Sequence, residues 1–106
     1  MEKRYPPRER RTSRRILAEN LRLSRFQRRI PQDELAHIVG LDRSYFGAVE
    51  RGARNIAVDN LDKIAVALGV SVHQLLTEPD TSGIPGHLME DIRRWIKEDA
   101  GVYRVS

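Results

Sequence analysis

QDELAHIVGLDRSYFGAVER, residues 32–51, is the stretch whose reading decides the fold. Leu35, Ala36 and Val39 recur at helical spacing and predict one short helix with a narrow inner face. Gly40 falls where a helix ends in a left-handed residue, a conformation that suits glycine because it has no Cβ to clash. Leu41 then turns inward. Asp42 is placed to cap a second helix, its carboxylate accepting free backbone N–H groups. Phe46 and Val49, three apart, form the inner face of that helix. The small Ala36 lets the two backbones approach, and Gly40 lets them cross steeply.

Two short helices joined by so tight a turn form a helix-turn-helix, whose second helix enters the DNA major groove. The pattern Gln32, Leu35-Ala36, Gly40-Leu41, Phe46, Val49-Glu50 and Gly52 resembles the phage Cro/repressor family, also called Xre-like. The likeness runs back through LAENLRLSR (17–25) and forward through NLDKIAVALGVSVHQLL (60–76), so it covers about residues 16–77. LDRSYFGAVERGARN (41–55) further resembles the controller proteins of restriction–modification systems.

The second helix, 43–51, would present its solvent side to DNA. With Phe46, Val49 and Glu50 inward, a rotation of 100° per residue puts Ser44, Ala48 and Arg51 on the opposite face, with Gly47 beside them. Arg43 is suited to a bidentate contact with guanine, Ser44 to a base edge or phosphate. Tyr45 can pack on sugar or a thymine methyl, or donate its hydroxyl to phosphate. Ala48 is short enough to touch a thymine methyl or to read nothing. Gly47 costs a helix about 1 kcal/mol relative to alanine, which a close approach to DNA would explain and simple tolerance would explain equally. The resemblance implies that Gln32, Arg51, Arg54 and Asn55 hold phosphates, contacts that set register without reading sequence. It also implies an ion pair between Arg25 and Glu50 that ties the first helix to the recognition helix. The alternative for each of these side chains is an ordinary polar surface.

Outward from this centre, residues 15–28 predict the first helix, with Leu17 and Leu21 inward and Ser24 standing where the family has an apolar residue. Pro31 replaces the usual Ser or Thr cap of the next helix, a loss of about 1 kcal/mol offset in part by proline's fit to a helix start. A fourth helix is expected over 58–68 with Leu61, Ile64, Ala65 and Leu68 inward and Gly69 at its end. Ser71-x-x-Gln74 reads as a capping box for a fifth. Leu75 and Leu76 close the core or face a second subunit. Residues 78–86 form a linker rich in turn formers. In 87–100, Leu88, Ile92, Trp95 and Ile96 share one face of a further amphipathic helix, with Met89 at its edge. That face either packs back on the domain or serves as a dimer arm or a dock for another protein, and the dimer arm is the favoured expectation.

Composition bounds the rest. The 106 residues suffice for one domain with tails. Residues 1–31 hold 11 Lys and Arg against 3 Asp and Glu, a net of +8, whereas the remainder carries −4. Residues 1–15 therefore predict a disordered basic arm, set either to follow DNA phosphates or to stand solvated. The absence of cysteine excludes disulfides and thiolate metal sites. The longest apolar run, 64–68, is too short to span a membrane, and the basic start lacks the apolar core of a secretory signal. His37, His73 and His87 have no metal-binding spacing, and GIPG (83–86) lacks the Lys-Ser/Thr of a phosphate loop. Nothing supports a catalytic, cofactor or metal site.

The expectation is an all-α chain: a disordered arm (1–15), a five-helix repressor-like DNA-binding domain (16–77), a linker (78–86), and an extra C-terminal helix and tail (87–106). Its function would be sequence-specific binding of double-stranded DNA as a cytoplasmic, nucleoid-associated regulator, a repressor acting as a homodimer on an inverted repeat. Two alternatives stand beside it: an antitoxin-type autoregulator whose C-terminal helix binds a protein partner, and a protein-interaction module with the same fold.

Overall fold

The computed structural model describes residues 11–104, with the backbone alone from 99 onward. The first ten residues of the expected basic arm lie outside the described residues. Six helices follow one another: α1 Ser13–Arg28, α2 Gln32–Val39, α3 Arg43–Glu50, α4 Val58–Leu68, α5 Val72–Leu75 and α6 Gly86–Arg104. No strand occurs among the described residues.

Helix ends follow the local chemistry. The Thr12 hydroxyl accepts the Arg15 N–H (3.2 Å) and starts α1 at Ser13. Ser13 and Arg14, expected in the arm, are therefore helical. Arg11 is held as well, pairing with Glu19 (2.6 Å) and Glu78 (2.9 Å). Pro31 begins α2 without a side-chain cap. At the ends of α1, α2, α3 and α4 the same bond recurs, a backbone N–H reaching back five residues: Ile30 to Arg25, Leu41 to Ala36, Ala53 to Ala48 and Val70 to Ala65, all at 2.9–3.0 Å. Each requires a left-handed residue just before the donor. Gly40, Gly52 and Gly69 supply it, but α1 uses Arg29 (φ 54°), an uncommon choice for a residue with a Cβ. Ser71 and Gln74 form the expected capping box, although α5 is only one turn.

The core joins Leu17 and Leu21 of α1, Leu35, Ala36 and Val39 of α2, Phe46 and Val49 of α3, and Leu61, Ile64, Ala65 and Leu68 of α4. Leu75 closes it from α5, while Leu76 stays exposed. The Asn20 amide donates to the Leu75 and Thr77 carbonyls (2.7 and 2.9 Å), satisfying the end of α5 and holding it on α1. The linker then turns on Asp80, whose carboxylate accepts the Ser82 hydroxyl (2.7 Å) and N–H (3.1 Å).

The apolar face of α6, expected to await a second copy, packs on α1 and α2 of its own chain. Ile92 is buried there, and Trp95 meets Phe26 edge to face, centroids 5.7 Å apart. Most of a helix's stability in a folded protein comes from packing its apolar face, and this cover supplies it for α6.

Candidate nucleic-acid interface

The recognition helix is fixed from behind. Phe46 and Val49 are fully buried, and the Asp42 carboxylate accepts the Tyr45 N–H at 3.0 Å. Glu50 is only 2% exposed, beside Arg25 at 1%. The Arg25 guanidinium donates Nε to Glu50 Oε2 (2.6 Å) and Nη2 to Oε1 (2.9 Å), a bidentate pair, while Nη1 reaches the Ile30 carbonyl (2.8 Å). Arg22 donates to the Glu50 backbone carbonyl. Arg25 thus ties α1, the α1–α2 turn and α3 together. Charge buried so deeply holds geometry more than it adds stability, because desolvation offsets the attraction.

Two small groups flank the helix. On one side Gln32 donates its amide to Glu50 Oε1 (3.0 Å) and crosses over Gly47. A Cβ at Gly47 would lie 3.3 Å from Gln32 Oε1 and 3.5 Å from the Arg51 guanidinium. The glycine therefore makes room for a neighbouring side chain, a reason the sequence did not suggest. On the other side the Tyr45 hydroxyl donates to the Asn55 carbonyl (2.8 Å), and Arg54 lies over the Tyr45 ring at 5.5 Å. The hydroxyl proton expected at a phosphate is spent on bracing the loop after α3.

Arg43, Ser44, Arg51, Arg54 and Asn55 are all exposed, Gln32 and Tyr45 are half-buried. Arg43 and Ser44 stand at the first turn of α3, with Gln32 and Arg51 along one edge and Arg54 and Asn55 beyond the other. Ala48 departs from the expected outward position: only 9% of it is exposed. In a helix of eight residues packed on several sides, the face opposite the core is narrower than a rotation angle implies. Arg22 and Asn20 escaped the sequence reading, as did the contact of Trp95 with Arg25, since each acts through a partner far along the chain. Among the described residues no three His, Asp or Glu side chains converge to hold a metal ion, and no helix is long and apolar enough to cross a membrane.

Comparison with known proteins agrees with this architecture. A hypothetical transcription factor of Neisseria meningitidis is 52% identical over 64 residues, 60% of this chain and 60% of that protein. The match thus spans about three fifths of that relative. The control protein C.SmaI of Serratia marcescens is 48% identical over 62 residues, 58% of this chain and 74% of its own. The crystal structure of the restriction–modification controller protein C.AhdI from Aeromonas hydrophila superposes with a TM-score of 0.56 at 40% identity, covering 58% of this chain and 94% of that one. Residues 18–75 match the family model described as helix-turn-helix. With more than half its length in that match and all five of the motif-bearing helices in place, the chain belongs to the Xre-like helix-turn-helix family of transcription regulators.

Proposed function

We propose that this regulator is a repressor that binds an inverted-repeat operator as a homodimer, working at the nucleoid in the cytoplasm. The observation that carries the reading is the two-sided character of α3. Its back is locked by the Arg25–Glu50 pair, and its first turn offers Arg43 and Ser44 to solvent. Arg43 and Ser44 read base edges, Tyr45 frames them by bracing the following loop, and Gln32, Arg51, Arg54 and Asn55 hold phosphates. A second copy is supported by an apolar surface of Ile38 (55% exposed) and Val66 (81% exposed) beside Asp62 and Lys63. Adjacent opposite charges are self-complementary across a two-fold axis. Bound to a promoter, such a dimer blocks it by occupancy alone. The reading in which α6 docks a foreign protein is disfavoured, because α1 and α2 already cover its apolar face.

The test is selection from a random duplex pool with purified protein, followed by binding of the enriched sequences across a salt series. An inverted repeat with half-sites about 10 bp apart supports a dimeric sequence reader. Salt-sensitive binding with no enriched sequence refutes specific reading and leaves a non-specific phosphate binder. A promoter-reporter assay with the enriched site then gives the sign of regulation.

A further inference from the structure

Trp95 lies outside the matched residues 18–75, on a helix that the motif does not include. Its ring covers the Arg25 guanidinium at 5.2 Å and meets the Phe26 ring in a T-shaped contact. Arg25 is the same side chain that grips both carboxylate oxygens of Glu50 on the recognition helix, and Glu50 in turn holds Gln32 at the outer surface. The contacts therefore run without a break from α6 through α1 to α3 and α2.

We propose that Trp95 is a positioning residue for DNA recognition: by covering Arg25 it keeps water from the Arg25–Glu50–Gln32 network and so holds the reading edge of α3 in register. This rests on the DNA-binding reading above. The physical argument is about water. An ion pair keeps its directional grip only while its surroundings stay of low dielectric. A planar guanidinium also stacks on an indole face better than on any other side chain. Removing the ring opens Arg25 on one side, lets water compete for its donors, and loosens the carboxylate that anchors Gln32. The consequence falls on specific recognition, which needs α3 in one orientation. Binding through phosphates alone tolerates a less exact placement.

The experiment compares Trp95→Leu and Trp95→Phe with the unaltered full chain. Leucine keeps apolar packing against Phe26 but has no ring face for Arg25, whereas phenylalanine keeps both. The readout is the ratio of affinities for the selected operator and an unrelated duplex. We expect Trp95→Leu to lower that ratio on the order of tenfold, the reach of a desolvated cation–ring contact, and Trp95→Phe to hold it within about twofold. Equal ratios in all three proteins would overturn the proposal, as would an equal fall in both variants. A second readout is independent of DNA. In the free protein, NMR-detected exchange of the Arg25 Nε–H with water should be faster in Trp95→Leu and unchanged in Trp95→Phe. If the unaltered chain selects no operator, the functional reading fails, and this exchange rate alone decides whether Trp95 shields the network: an unchanged rate in Trp95→Leu refutes it.

Discussion

Replacing Glu50 by glutamine tests the central contact most directly. The change is nearly isosteric, so packing is preserved while the charge is lost. Glu50 accepts side-chain bonds from Arg25, at both carboxylate oxygens, and from Gln32. Glutamine keeps one acceptor oxygen and turns an NH2 group towards a donor. The two bonds to Arg25 are worth about 1.5–3 kcal/mol each, and breaking one side of a buried ion pair costs about 3–5 kcal/mol. The ion-pair figure governs, a loss of about 3–5 kcal/mol, because Arg25 would remain buried with its charge uncompensated. A domain of this size has only about 5–15 kcal/mol of stability. Urea unfolding followed by circular dichroism should register the loss, and the thermal midpoint should fall by at least about 12 °C. The double change Arg25→Met with Glu50→Leu should recover much of that stability, since apolar residues of similar volume replace a desolvated pair at little cost. It should not recover operator binding, because Gln32 loses its anchor. A loss below about 1 kcal/mol in Glu50→Gln, the range of exposed ion pairs, would refute the argument.

Other substitutions separate the parts of the interface. Arg43→Ala should relax preference at one base step and cost about 1–3 kcal/mol of operator affinity, measured on single-base operator variants; unchanged preference would remove Arg43 from the reading set. Arg54→Ala should weaken all duplexes alike and lower the slope of log affinity against log salt by about 0.9. Gly47→Ala should raise helix stability by up to about 1 kcal/mol yet weaken operator binding severalfold, because its methyl group displaces Gln32; unimpaired binding would show that the Gln32 position is dispensable. Arg29→Gly should raise the urea midpoint, by up to about 1 kcal/mol in stability, since glycine adopts the left-handed turn without strain.

What could be seen in the sequence was what depends on neighbours along the chain. Gly40 and Gly69 announced left-handed helix ends, Asp42 and Ser71 announced caps, and the spacing of Leu61, Ile64, Ala65 and Leu68 gave the inner face of α4. Arg29 gave no sign, because nothing local marks an arginine forced into a glycine's conformation. The start of α1 was hidden too, since the basic run around Thr12 obscured its cap. For α6 the apolar spacing showed a face in need of cover but not the surface that covers it. Within the interface the exposed positions of Arg43, Ser44 and Arg51 follow from helix phase, whereas Arg54 lies in the loop beyond it. The uses made of Tyr45, Gly47 and Ala48 do not follow from phase, because they depend on Asn55, Gln32 and the folded loop. Arg25 and Glu50 came from the family pattern alone, and Trp95, beyond that pattern, could not be linked to them by any spacing rule.

The contact between Trp95 and Arg25 also gives the protein's synthesis an order. Ribosomes add about 5–20 residues per second, and segments near the N-terminus fold first. Arg25 and Glu50 are made early, but Trp95 follows about 45 residues after Glu50, a delay of roughly 2–9 s at those rates. Late in that interval, once Leu75 has been added, the growing chain holds all five helices of the family match with one side of its charge pair uncovered. On the proposed reading, a newly made molecule acquires the parts of its DNA-contacting surface before the ring that covers Arg25, and translation must pass residue 95 before both are present.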